Sequence, residues 1–167
     1  MQLIVFSYPI KDFVNDAQVL SLYRGKAIAV TGAQLINSEF KLSDQDDSLI
    51  KKYLKSAAVK ILDVVSGYTK GIQDYGTIPF EYDVTYNDIE SQIVYRLLFP
   101  DNFVTTSVNQ IDESIKDAIV NYILYRSAKL KATEFQSFEK DWEESLSQIR
   151  SYLQRRNTST VRNMNLF

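Results

Sequence analysis

The sequence predicts a mainly α-helical domain: a helical bundle with an inserted β-hairpin and an extended carboxy-terminal tail. Three observations predict it. Apolar residues recur at helical spacing near residues 50–65, 115–130 and 135–153. The period changes to two within about residues 77–99. From Asn157 onward no period remains. The expected layout is one domain over residues 1–156 and a docking tail over residues 157–167.

Residues 2–8 (QLIVFSY) form a short apolar run of β-prone residues ended by Pro9. From Phe13 to Val30, the positions Val14, Ala17, Val19, Leu20 and Tyr23 fit a helix, although Gly25 and the run AIAVT leave its end open. A second helix is expected over about 44–66. Ser43 and Asp46 have the spacing of a capping box, and Asp44, Asp46 and Asp47 complement the positive helix start. Ile50, Tyr53, Leu54, Ala57, Ala58, Ile61, Leu62 and Val65 then share one face, and Gly67 stands where a carboxy-terminal cap is expected.

Residues 67–76 hold three of the five glycines and read as a loop. Ile78, Phe80, Tyr82 and Val84 alternate on one side of a strand, as do Ile93, Tyr95, Leu97 and Phe99 after the turn-like Asn87-Asp88. Two strands alone are marginal, so this hairpin should pack on the helices or on a neighbouring subunit. Asp112 is the expected N-cap of a third helix reaching about Leu130, with Ile115, Ile119, Tyr122, Ile123 and Leu130 on its face. Thr133 and Gln136 offer a further capping box. Phe135, Phe138, Trp142, Leu146, Ile149 and Leu153 continue as a sustained stripe, so the last two helices should form an antiparallel hairpin.

With 167 residues, 45% hydrophobic and 24% charged, the chain has ordinary globular composition and can bury roughly 70% of its unfolded surface. It contains neither Cys nor His. That excludes disulfides, thiolate nucleophiles and Ser-His-Asp or Cys-His chemistry within this chain. No stretch approaches the roughly 18–20 apolar residues of a membrane span. The start MQLIVFSYPIKDF lacks the basic region and cleavage site of a signal peptide, so synthesis in a reducing cytoplasm is the expectation.

The chemistry-bearing patterns are thin. Gly71 and Gly76 have phosphate-loop spacing, but Thr77 replaces the Lys and the loop follows a helix. Asp44-x-Asp46-x-Ser48 begins like a calcium loop, yet Leu49 and Lys55 stand where Gly and Glu are needed. Two acidic clusters, Glu81, Asp83, Asp88 and Glu90 in the hairpin and Glu139, Asp141, Glu143 and Glu144 on the last helix, read as solvated surface before they read as catalytic pairs. Tyr122, Trp142 and Tyr152 read as core before they read as a base-stacking platform. No catalytic residue, cofactor or metal is expected.

Residues 147–167 contain no acid and carry Arg150, Arg155, Arg156 and Arg162. Phosphate neutralisation is one reading, which would make the protein a nucleic-acid-binding accessory. A second is a docking tail that orders on a partner, with Met164, Leu166 and Phe167 as anchors, and a third is a frayed terminus. The apolar end favours docking, because an electrostatic arm gains nothing from Leu-Phe.

The run from Ala118 to Arg126, with Tyr122, Leu124 and Tyr125 between them, resembles the A-x-x-x-Y-x-L-Y-R helix of head–tail adaptor proteins of tailed bacteriophages. A second long helix with a central aromatic follows, as Phe138 and Trp142 do here, and the layout over residues 44–156 is similar. The likeness is closest to podovirus-like phages of Bacteroidales hosts, including the crAss-like group. The resemblance implies a virion structural protein without enzymatic activity. It would form a ring of neighbouring copies, commonly twelve, beneath the portal protein. The ring would surround passing DNA and receive the next tail or stopper protein, with no membrane involved. It also implies a tail that reaches along the portal, which maps onto Arg155, Arg156, Arg162, Met164, Leu166 and Phe167.

Overall fold

The structure, a computed structural model, describes residues 2–30, 41–69, 83–87, 91–131 and 135–155; within these, side chains are described for 2–24, 41–68, 91–131 and 135–155. The chain runs β1 (Gln2–Pro9), α1 (Ile10–Val30), α2 (Asp47–Thr69), β2 (Asp83–Asn87), β3 (Gln92–Phe99), α3 (Val108–Leu130) and α4 (Gln136–Leu153). It is mainly helical with an inserted β-hairpin, as its periodicities predict.

The hairpin does not stand as a two-stranded unit. It forms a three-stranded antiparallel sheet in the order β1-β3-β2, with Gln2 opposite Phe99 and Tyr8 opposite Ile93. The amino-terminal run thus supplies the strand that a lone hairpin lacks. The first hairpin strand is described only over Asp83–Asn87, so Ile78, Phe80 and Tyr82 lie outside the described residues. Ser91 adopts φ 51°, the left-handed conformation, at the entrance to β3.

Strand alternation sends Phe6, Tyr8, Ile93, Tyr95, Leu97 and Phe99 into the core. Leu3, Val5 and Arg96 emerge on the opposite face. Tyr8 meets Phe13 and Tyr95 edge-on at 5.7 and 6.1 Å, which joins the sheet to α1. The Tyr95 hydroxyl donates to the Ala58 carbonyl at 3.0 Å, tying the central strand to α2. Phe103 stacks on Phe99 at 4.3 Å and closes the sheet's end before α3 begins.

Helix α1 differs from expectation. Its buried stripe is Ile10, Phe13, Ala17 and Ser21, whereas Val19, Leu20, Leu22 and Tyr23 are exposed. The apolar residues lie on two faces there, so periodicity alone points to the wrong one. The helix also continues through Gly25 to Val30. The Ser21 hydroxyl accepts from the Leu42 amide at 3.0 Å, fixing the approach to α2.

The capping box is present. The Ser43 amide donates to Asp46 Oδ2 at 2.9 Å within a 3-10 turn, Asp44–Asp46, that precedes α2. Donation from Ser43, followed by the charge of Lys131, holds the Asp46 carboxyl below its ordinary range. All the predicted core positions of α2 are buried except half-buried Leu62. Gly67 is no cap: α2 runs on to Thr69, and Gly67 lies exposed inside its last turns.

Asp112 does not cap α3. A 3-10 turn, Thr105–Ser107, starts the helix at Val108, so Asp112 sits in the second turn and accepts from Lys116 at 2.6 Å. Burial of Ile111, one turn ahead of Ile115, accounts for the earlier start. Leu130, expected on the core face, is exposed at the helix end. Thr133 lies outside the described residues, and α4 begins at Gln136 behind Phe135. The α4 stripe is as expected: Phe138, Trp142, Ile149 and Leu153 are buried, Phe135 and Leu146 half-buried.

Candidate functional site

Helix α3 is the hub of the bundle, packed by α1, α2 and α4. From Ala118 to Ala128, only Asn121 and Arg126 escape full burial, which is what a helix enclosed by its neighbours requires. The signature residues fall in this stretch. Ala118, Tyr122, Leu124 and Tyr125 are all buried, so they build the α3–α4 hairpin and offer no contact surface. Arg126 is exposed, with its guanidinium 5.5 Å from the Tyr53 ring centre on α2.

The aromatic positions meet as core. Tyr122 and Trp142 pack edge-to-face at 4.9 Å, and the Tyr122 hydroxyl shares a hydrogen bond with Ser56 Oγ at 3.1 Å. Tyr152 is half-buried at the far end of α4, where it carries Arg155 on its ring. The three do not form a platform.

The acids of α4 divide. Glu143 and Glu144 are exposed, as expected of a solvated face. Glu139 and Asp141 are instead engaged. The Tyr125 hydroxyl donates to Glu139 at 2.8 Å, and Arg24 donates to Asp141 at 2.5 Å while lying 5.5 Å over Phe138. With both partners of that ion pair about one-third exposed, it contributes at most about 1 kcal/mol. Asn121 adds a polar link across the hairpin, donating to Ser145 Oγ at 2.9 Å. Glu81, Asp88 and Glu90 lie outside the described residues, as does the Asp83 side chain. Among the described residues no cluster of acids is arranged to hold a metal ion, and no helix is long and apolar enough to cross a membrane.

Of the docking residues, only Arg155 is described. Its Nη1 donates to Gln110 Oε1 at 3.1 Å, and its guanidinium covers the Tyr152 ring at 4.6 Å. Beside it, Gln154 donates to the Tyr68 hydroxyl at 3.2 Å. The ends of α2 and α4 and the start of α3 therefore converge around Gln154 and Arg155. Arg156, Arg162, Met164, Leu166 and Phe167 lie outside the described residues.

Sequence reasoning missed one concave feature. A cleft of about 450 Å³ opens at the junction of β1 and α1, lined by Ser7, Asp12, Asn15, Asp16 and Lys116 among others. Nearby, burial and the charges of Glu113 and Asp16 push the Asp117 carboxyl above its ordinary range. Burial, then the neighbouring Asp112, pushes the Tyr8 hydroxyl up strongly. No motif spacing marks this cleft, because it joins the β1–α1 segment to Lys116 of α3, about a hundred residues away in the sequence.

Comparison with protein-family models, with curated proteins and with solved structures gives no match to this chain.

Proposed function

We propose that the protein is a head-to-tail adaptor subunit of a tailed bacteriophage, a non-enzymatic virion component. Copies would form a ring beneath the portal, around the DNA channel, and present a surface to the next tail protein. The observation that carries this reading is the α3–α4 hairpin. It bears the A-x-x-x-Y-x-L-Y-R signature with Ala118, Tyr122, Leu124 and Tyr125 buried and Arg126 exposed, followed at once by the aromatic-centred helix that the resemblance calls for. The hairpin is then the rigid element of the subunit, and its exit at Arg155 is where the portal-binding tail departs. The chain's net charge of −2 agrees with a channel wall that releases DNA, since strong phosphate binding would impede ejection.

The test is co-expression with the portal protein of the same phage, read by electron microscopy of the purified assembly. The full chain is expected to add a symmetric ring to the portal. A chain ending at Arg155 is expected to keep its helical circular dichroism and lose attachment. Failure of the full chain to join the portal overturns the proposal.

A further inference from the structure

We propose that β1 is a pairing edge at which two copies of this chain join, strand to strand, about a two-fold axis at Val5. The inference stands apart from the adaptor reading and rests on the sheet alone. β3 is central, so β1 is an edge strand, and among the described residues no strand pairs with its outer side.

The ladder fixes which groups face outward. The Ile10 amide donates to the Ser91 carbonyl at 2.7 Å, and the register is unbroken from Pro9↔Gln92 to Gln2↔Phe99. In an antiparallel ladder the hydrogen-bonded pairs alternate, so Tyr8, Phe6, Ile4 and Gln2 bond to β3. Leu3, Val5 and Ser7 must turn their N–H and C=O groups away from it. Pro9 keeps the same parity, and it is the position where a missing N–H costs no ladder bond.

The side chains on those same residues are equally unprotected. Leu3 is 51% and Val5 53% exposed. Natural edge strands are guarded by charges, bulges or interior prolines. Residues 2–9 contain no charged side chain, their register has no bulge, and the one proline stands at the end.

The edge is complementary to itself. Antiparallel pairing about Val5 sets Leu3 opposite Ser7 of the second copy and Val5 opposite Val5. Every outward N–H and C=O of Leu3, Val5 and Ser7 then finds a partner. The joining strands carry no charged side chain, and Arg96 stands one strand back, beside Val5 on β3. The two sheets fuse into one of six strands, and Leu3 and Val5 of both copies line the same face, next to half-buried Val94 and Leu98.

Two substitutions test this without touching the β1–β3 ladder. Val5→Pro deletes an N–H that points away from β3, and Val5→Lys places a charge on each side of the axis. Sedimentation equilibrium of the full chain is expected to show twice the chain mass, dissociating on dilution through the micromolar range, as befits a small interface. Both variants are expected to be monomeric with unchanged circular dichroism. Val59→Lys, on the exposed face of α2, is expected to leave the dimer intact. Should Val5→Pro misfold, Val5→Lys still decides. A wild-type chain that stays monomeric, or an oligomer that survives both Val5 substitutions, overturns the proposal.

Discussion

The hydroxyl of Tyr95, on the central strand, reaches the carbonyl of Ala58 on α2 at 3.0 Å, and it does so from a fully buried position. One hydrogen bond therefore couples the sheet to the helical layer. Tyr95→Phe is expected to cost about 0.5–1.5 kcal/mol of stability, measured by urea denaturation. The same burial raises the Tyr95 pKa above its ordinary value of 10.0. A raised phenol contributes stability that is present below pH 10 and lost as pH climbs above it, because the unfolded chain releases the proton first. Tyr95→Phe should accordingly lessen the alkaline loss of stability; Tyr8, raised in the same way, should sustain part of it.

Trp142 is the single tryptophan, and it packs against Tyr122 between α3 and α4. Its emission is expected to be blue-shifted in the folded chain and to move red on unfolding. Trp142→Ala should cost about 3–5 kcal/mol, read by chemical denaturation followed by circular dichroism. A loss below about 1 kcal/mol would mean that the hairpin does not depend on this contact.

Gly67 lies in the helical body of α2, and a Cβ built there meets no atom within 4 Å. Gly67→Ala is expected to stabilise the protein by about 0.5–1 kcal/mol, through lower backbone entropy in the unfolded chain. The check is a rise in the thermal midpoint with no change in helical content.

Asp46 accepts from the Ser43 amide and lies 3.5 Å from Lys131. Its lowered pKa contributes stability that is present above the ordinary value of 3.8 and lost as pH falls through the folded value. Asp46→Ala should cost about 0.5–2 kcal/mol at neutral pH and flatten the acid limb of the stability profile. An unaltered acid limb would show that other carboxylates dominate it.

The sequence made α2 and α4 legible because each carries one apolar stripe and one polar face. Helix α3 was legible as a helix, but its start was not. Asp112 has the side chain of a cap, while Ser107 and the 3-10 turn that do begin the helix carry no comparable pattern. In α1 the exposed Val19, Leu20, Leu22 and Tyr23 compete with Phe13 and Ala17 for the same period. The β-prone character of residues 2–8 was readable, yet its partner was not: strand pairing across the chain leaves no local trace. For the site, the signature residues of α3 are located by motif, and the structure assigns four of them to the interior. The cleft beside β1 depends on tertiary neighbours alone.

The sheet's order also sets a clock on biogenesis. β1 leaves the ribosome before its partner β3, which follows some ninety residues later. At about 5–20 residues per second, that delay is roughly 5–20 s. For that interval an uncharged strand waits without its ladder, while α2, whose helical backbone hydrogen bonds are local, can already form. A nascent chain stalled before Gln92 should therefore engage chaperones more strongly than one stalled after Phe103.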